Sequence, residues 1–324
     1  MRRRAWLRAS LAPLMHFLRV VFFGLLALLP AALPGRGIAS LPARPLRIAT
    51  WNLEWLLDAT TAQAARLACR DGLPAAVPCD AARELARDSA DLAQLAAYAR
   101  LLDADVIAFQ EVQNAAIARR VFRGYRICLH AGAGLQQVGF AIRPQLAGNC
   151  GVSVEALALQ GQARAGLQLS LAQPGGGSIE LLALHLKSGC SHDRLESPGT
   201  ACQLLAAQAQ ALGEWIAAQV ARQRRFIVLG DFNRGAAPAH ADRFWQLLHP
   251  ESFQDSASVL PFANCSWGAP YREFIDHILV SSNLLAWLPP TPYRQFRFRN
   301  ADNARYLLSD HCPLMVSLNV PLDL

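Results

Sequence analysis

Acid is missing from the first 39 residues. This segment carries Arg2, Arg3, Arg4, Arg8, Arg19 and Arg36 but neither Asp nor Glu. The formal charge of +7 for the 324-residue chain therefore falls to +1 once these six arginines are set aside. A global positive field is thus removed as evidence for a polyanionic partner. Lysine is almost absent: Lys187 is the only one. Beside so much Ala and Leu, this reads as composition bias and excludes no function. No Cys-x-x-Cys pair occurs among the eight cysteines, which argues against structural zinc. There is no short-period repeat and no clear second domain.

The N-terminal segment has the layout of a secretory signal. Arg2–Arg4 form a basic start, an apolar stretch runs from about Val20 to Leu33 around Pro30, and small residues near Gly37 and Ala39 suit cleavage. The apolar stretch, about 14 residues, falls short of the roughly 20 that a membrane span needs; an uncleaved N-terminal anchor is the alternative. The expected organisation is a signal at 1–39, a Pro-interrupted linker at 40–45 and one domain at 46–324. The expected location is the periplasm or the exterior. An even cysteine count behind a signal suggests disulfides, although eight cysteines allow roughly a hundred pairings. Cys69–Cys79 and Cys190–Cys202 are the natural local pairs. Each closes a loop of about a dozen residues, worth about 3 kcal/mol in the chain-entropy picture; buried free thiols are the alternative.

From Leu46 onward, short runs of β-formers end in polar residues, and Ala/Leu-rich stretches separate them. The runs are LRIATWNLEWL (46–56), DVIAFQEV (105–112), VGFAIR (138–143), IELLALHLKS (179–188), FIVLGDFN (226–233), FIDHILVS (274–281) and CPLMVSLNV (312–320). A helix is predicted from Asp80 to Leu102, with Asp80 as N-cap. A second is predicted from Thr200 to about Arg222, opening on the capping-box pattern Thr-Ala-Cys-Gln. PGGGS at 174–178 reads as a hairpin turn. RQFRFR at 294–299 reads as an edge strand with a solvated basic face, or as a track for a phosphate backbone. Strands that alternate with helices in places and run as hairpins in others predict mixed sheets covered by helices.

The strand ends carry the chemistry. In an extended chain, side chains alternate faces, so Asp231 and Asn233 point one way and Phe232 the other. Asn52 and Glu54 likewise share a face opposite Trp51, Leu53 and Trp55. Glu111 closes an apolar strand, His185 sits among leucines, Asp276 interrupts an apolar run, and Asp310 and His311 precede another. A lone strand histidine is more often a satisfied core residue, and a lone strand-end Asp a turn former. Six strand ends that all carry Asn, Asp, Glu or His are harder to read that way, because burying uncompensated carboxylates is costly. They are better tolerated when they converge on a cation.

The ordered set WNxE, FQEV, HLKS, GDFN, IDHI and SDH resembles the endonuclease/exonuclease/phosphatase superfamily over residues 46–320. The resemblance implies a deoxyribonuclease I-like four-layer α/β sandwich of two mixed β-sheets flanked by helices. It implies metal-dependent phosphoester hydrolysis, with Mg2+ or Mn2+ suited to hard oxygen ligands. It implies Glu111 as primary metal ligand, Asn52 supporting metal or phosphate, and Glu54 and Asp310 as acids near the metal. Asp231 would orient or deprotonate water and Asn233 bind the scissile phosphate. His311 would contact phosphate or transfer a proton, oriented by Asp276. His185 would bind phosphate or protonate the leaving group. Lys187, Arg234 and Trp267 are weaker candidates near the cleft; His130, His192, His240, His249 and His277 receive no role.

Three functions compete. The first is an exported nuclease acting as a monomer on DNA or RNA, with no stable protein partner. The second is a phosphodiesterase of phospholipid or sphingolipid headgroups. An inositol 5-phosphatase is disfavoured because WGAPYREFIDHI lacks the Trp-Cys-Asp-Arg element of that branch. The third is a non-catalytic binding protein, which the presence of Glu111, Asp231, Asn233 and His311 disfavours.

Overall fold

A computed structural model of the chain describes residues 44–84, 86–130, 132, 134–173, 176–236, 242–265 and 273–321. The expected signal, most of the linker, His240 and Trp267 lie outside the described residues.

Two six-stranded sheets form the centre. The first is ordered β11 (Tyr293–Gln295), β12 (Leu314–Leu318), β1 (Leu46–Leu56), β2 (Val106–Val112), β4 (Gln137–Ile142) and β3 (Arg126–Leu129). The second is ordered β5 (Gly148–Val154), β6 (Gly166–Ala172), β7 (Ser178–His185), β8 (Arg225–Asp231), β10 (Asp276–Ser281) and β9 (Phe253–Asp255). Each sheet has one parallel pair, β1–β2 and β7–β8, among antiparallel neighbours. Parallel neighbours need long crossovers. The first crossover carries α1 (Ala59–Arg70), α2 (Cys79–Glu84) and α3 (Ser89–Leu102), and the second carries α5 (Thr200–Ala221). The short helices α4 (Ala115–Val121), α6 (Arg243–Leu247) and α7 (Asn300–Asn303) are the other described α-helices, beside four short 3-10 helices.

Strand alternation builds the layers. Ile48, Val106, Ala108, Phe140 and Val316 of the first sheet meet Leu169, Leu181, Ala183, Ile227, Leu229 and Ile278 of the second in one buried cluster. The opposite face of the first sheet, with Trp51, Leu53, Ile107 and Phe109, packs on Leu92, Leu95 and Ala99 of α3 and Ile117 of α4. The opposite face of the second, with Leu182, Leu184, Phe226 and Val228, packs on Leu205, Leu212 and Ile216 of α5 and Phe244 and Trp245 of α6. The four-layer expectation holds.

All eight cysteines are paired. Cys69–Cys79 and Cys190–Cys202 are the local pairs expected. Cys128–Cys150 ties edge strand β3 of one sheet to edge strand β5 of the other, and Cys265–Cys312 anchors the chain just after His311.

Several expectations need correction. The helix expected over Asp80–Leu102 is two helices. Asp88 starts α3 with its own capping box, accepting from Ala90 and Asp91 backbone N–H while Asp91 accepts from the Asp88 N–H. The intervening Arg87 turns inward and donates to the carbonyls of Glu54, Leu307 and Leu308, which continuing the helix would forbid. The N-cap of α5 is Gly199, not Thr200, and no side chain caps it. Its Gln203 amide instead reaches the Pro198 carbonyl. RQFRFR is strand only through Gln295, at the sheet edge. Beyond it Phe298 is buried while Arg294, Arg297 and Arg299 remain exposed, so the basic face is present on a mostly irregular segment. The turn near PGGGS does join β6 to β7, with Gly176 and Gly177 at positive φ.

Candidate active site

The two central strand pairs end on one side of the sandwich. Across the second sheet, His185, Asp231 and Asp276 are register partners in one row on β7, β8 and β10. Across the first, Asn52 pairs with Gln110 on β1 and β2. Asp231 follows Ile227 and Leu229 on the inter-sheet face, and Phe232 packs with Phe244 and Trp245 on the helix side. The alternation expected for GDFN is therefore present. Its glycine is required: Gly230 has φ +151°, and a Cβ there would lie 2.0 Å from the Leu184 carbonyl oxygen.

Glu111 arrives by a different device. Strict alternation would put it on the helix-facing side with Phe109. It instead adopts φ +61° at a register shift between Phe109 and Val112 and turns to the site. Glu54 and Trp55 (φ +46° and +51°) and Asn233 (φ +51°) are also left-handed. Non-glycine residues rarely adopt this region, and such strain is concentrated where surrounding structure holds it for function. The bend explains why Trp55 joins Leu57 and Val77 beside α1 and α2 rather than the Trp51 cluster.

Asn52 is the hub. Its Nδ2 donates to Glu111 Oε1 at 3.1 Å and to Asp231 Oδ2 at 3.0 Å, and its Oδ1 accepts the Glu54 N–H at 2.9 Å. The Trp55 N–H donates to Glu111 Oε2. Asp231 Oδ1 accepts the Asn233 N–H at 2.8 Å, and the Asn233 amide donates to the Leu186 carbonyl. His185 Nε2 lies 3.5 Å from Asp231 Oδ2 and 3.7 Å from Glu111 Oε1. His311 Nδ1 lies 2.6 Å from Asp276 Oδ2, with Nε2 3.9 Å from Asp231 and 3.6 Å from Asp310.

Glu54 and Asp310 form a separate acidic wall. Glu54 Oε2 accepts the Asp310 N–H at 2.9 Å and sits 3.8 Å from the Arg87 guanidinium. Asn52, Glu54, Glu111, His185, Asp231, Asn233, Asp276, Asp310 and His311 are thus brought to one region, but Glu54 and Asp310 are not in the tightest donor groups. Those groups are Glu111–His185–Asp231 and Asp231–Asp276–His311, each with donor atoms within 4.8 Å of one another.

Burial divides the protonation states. It pushes Asp231 up to about 7, with His311 opposing and Asp276 adding to the rise. It pushes Glu54 up to about 7 as well, aided by Asp310 and opposed by Arg87. Burial drives His185 well below its usual value, and the Arg164 charge adds to this. Nε2 of His185 faces carboxylates while the buried Nδ1 has no hydrogen-bond partner, which assigns a neutral ring with its proton on Nε2. Burial would lower His311 too, but Asp276 and Asp310 overcome it and hold the imidazolium well above its usual range.

These residues fit a divalent cation. The carboxylates of Glu111 and Asp231 converge, and burial disfavours ionising Asp231 unless positive charge is near. Hard oxygens suit magnesium or manganese.

The polar cleft above has a volume of about 390 Å3 and includes Glu111, His185, Asp231, Asn233 and His311. It also includes Arg164 and Gln136, which the motifs did not mark. Arg164 donates to the His185 carbonyl (3.1 Å), the Leu186 carbonyl (2.7 Å) and Gln136 Oε1 (3.1 Å). It forms no ion pair among the described residues. Nothing in QARAGL signals this, since Arg164 precedes a strand rather than ending one. Arg234 is not at the catalytic cleft: it is buried, bidentate to Asp242 and bonded to the Cys190 and Asp193 carbonyls. Lys187 turns its ammonium to the Ser188 carbonyl.

The sequence profile described as the Endonuclease/Exonuclease/phosphatase family matches residues 49–311. No curated protein sequence matches the chain. Solved structures share the fold. An AP endonuclease from Archaeoglobus fulgidus superposes with TM-score 0.55 at 14% identity, covering 85% of this chain and 100% of that one. Danio rerio TDP2 complexed with single-strand DNA product gives 0.54 at 17% identity, covering 85% and 99%. The 3'-5' exonuclease NExo from Neisseria meningitidis gives 0.51 at 18% identity, covering 85% and 100%. The profile match over most of the chain, on the fold these structures share, places the protein in the Endonuclease/Exonuclease/phosphatase family, as a metal-dependent hydrolase acting on phosphoester bonds.

Proposed function

We propose that residues 46–324 form an exported, magnesium-dependent nuclease that hydrolyses DNA or RNA phosphodiesters as a monomer, behind a secretory signal at 1–39. The carrying observation is the row His185–Asp231–Asp276, joined by Asn52 to Glu111 and by Asp276 to His311. The polar cleft supports a nucleic-acid substrate over a lipid, because its described lining holds few apolar side chains. The D. rerio neighbour with bound single-strand DNA product points the same way. Four disulfides support an oxidising compartment.

Glu111 and Asp231 would hold the cation, with Asn52 fixing both carboxylates. Such a cation neutralises a phosphate oxygen and the leaving oxyanion. Asp231 would also orient the attacking water and take its proton. Asn233 presents its amide to the scissile phosphate. His311, kept cationic by Asp276, donates to a phosphate oxygen through Nε2. His185, neutral with its proton on Nε2, donates a hydrogen bond beside Asp231, and Arg164 supplies fixed positive charge at the cleft. Glu54 and Asp310 form the outer acidic wall.

The test offers purified, oxidised protein equal access to plasmid DNA, RNA and sphingomyelin vesicles in Mg2+. Nucleic-acid cleavage is expected; hydrolysis confined to the vesicles overturns the substrate assignment.

A further inference from the structure

On the far side of the Glu54–Asp310 wall lies a second groove of about 700 Å3. Glu54 and Asp310 line both spaces, so the groove begins where the catalytic cleft ends. Its other principal walls are Asn300, Asn303, Tyr306 and Leu307. Its volume falls in the range of about 300–1,000 Å3 common to small-molecule sites.

The groove is held rigid from beneath. Arg87 donates to the Leu307 and Leu308 carbonyls, and Asp91 accepts the Leu307 N–H. Tyr98 donates to Asp302 and accepts the Arg299 N–H, and the Arg299 guanidinium also binds Asp302. Despite this anchoring, Leu307 leaves 41% of its surface exposed. The half-buried Tyr306 carries the Arg305 guanidinium 5.2 Å from its ring centroid. Arg305 makes no ion pair among the described residues.

We propose that this groove is a base-binding subsite, which takes an unpaired nucleobase of the strand flanking the scissile phosphate. The inference rests on the nuclease reading above and specifies its substrate as single-stranded or locally unpaired nucleic acid. Unlike the catalytic cleft, the groove has no Arg, Lys or His in its described lining to offset the two acids, which favours a neutral ring over a phosphate. Tyr306 and Leu307 offer an apolar face against which a base stacks, and the Asn300 and Asn303 amides offer donors and acceptors for its edge. Arg305 supplies a cation for the adjoining backbone phosphate. A paired base cannot enter, because its ring faces are already stacked.

The test uses the full chain in Mg2+, comparing steady-state kinetics on a single-stranded oligonucleotide and on bis(p-nitrophenyl) phosphate, which carries no flanking nucleobase. Ala301→Trp and Ala304→Trp fill the groove from exposed positions that neither the core nor the catalytic cleft uses. A rise in oligonucleotide KM of roughly 5- to 100-fold is expected in both, with the small diester unaffected. Tyr306→Ala should act in the same direction and Tyr306→Phe should restore wild-type KM. Unchanged oligonucleotide KM in both Trp variants overturns the subsite while leaving the nuclease reading intact. Equal losses on both substrates also overturn it, since the groove would then act through the catalytic site. Wild-type protein that hydrolyses the small diester but no oligonucleotide overturns the nuclease reading and the subsite together.

Discussion

Asp255→Asn isolates one buried charge behind the active site. His277 is fully buried, with Nδ1 2.8 Å from Asp255 Oδ2 and Nε2 2.9 Å from the Arg234 carbonyl. Both partners are acceptors, so both ring nitrogens must carry protons and the ring is an imidazolium. Burial alone would lower its pKa, but Asp255, the Arg234 carbonyl and Asp276 raise it above the usual value. Asparagine preserves the shape and the cap on the Ala257 N–H, which Asp255 Oδ1 accepts at 3.1 Å, but it turns an NH2 donor toward His277 Nδ1 where the carboxylate oxygen stood, so it removes both the charge and the acceptor that hold the imidazolium. Breaking a buried ion pair costs about 3–5 kcal/mol. A histidine with a raised folded pKa lends stability that is full below about pH 6.5 and is lost as pH rises through the folded pKa. The cost of Asp255→Asn should therefore be greatest at pH 5–6 and shrink above neutrality. Glu54 and Asp231 also lend stability that fades up to about pH 7, but they are common to both proteins and cancel in the difference. Urea denaturation of both proteins, disulfides intact, from pH 5 to 9 gives that difference. A cost that is flat across the range, or that grows with pH, refutes the imidazolium assignment.

Other consequences are equally direct. Magnesium at 100 times its Kd should stabilise wild-type protein by about 2.7 kcal/mol, read as a thermal shift, and Glu111→Gln should abolish most of it; an unchanged shift removes Glu111 from the metal site. Asp276→Asn should cut kcat/KM by roughly 10²–10⁴-fold. It should also move the alkaline limb of the pH profile downward, because Asp276 helps hold His311 protonated above its usual range; an unmoved limb argues against that pairing. Gly230→Ala should abolish soluble folded protein or shift its Tm steeply downward, since its Cβ would meet the Leu184 carbonyl at 2.0 Å; near-normal Tm would show that β7 can give way.

Much of this site was legible because polar groups interrupt otherwise apolar strands. Asp231, His185 and Asp276 each end or begin a buried run, and period-two alternation alone places them on the inter-sheet face with Ile227, Ala183 and Ile278. Glu111 was named for closing its strand, but the left-handed turn that aims it has no sequence signature, since neither Gly nor Asn marks the position. Arg164 and Arg87 escaped for a related reason: they act by binding distant carbonyls, and no local pattern announces such reach. The missed strands are mainly short or glycine-broken. β3 has four residues, β9 has three, and β5 (GNCGVSV) carries two glycines on an edge, whereas the expected edge strand at 294–299 forms only as the three-residue β11. β6 (GLQLSLA) does alternate, and its pattern was readable. The long helix was misread because Ala/Leu periodicity passes through Asp88, and only the Asp88–Asp91 capping box marks the break.

The most direct measurement is nicking of supercoiled plasmid by the oxidised protein in Mg2+, beside a chelator control and the His311→Ala and Asp231→Asn variants. Wild type should nick the plasmid, and the nicking should disappear with chelator and fall by at least roughly 100-fold in each variant. Undiminished nicking by both variants, or nicking that persists in chelator, would contradict the assignment of this cleft as the catalytic centre.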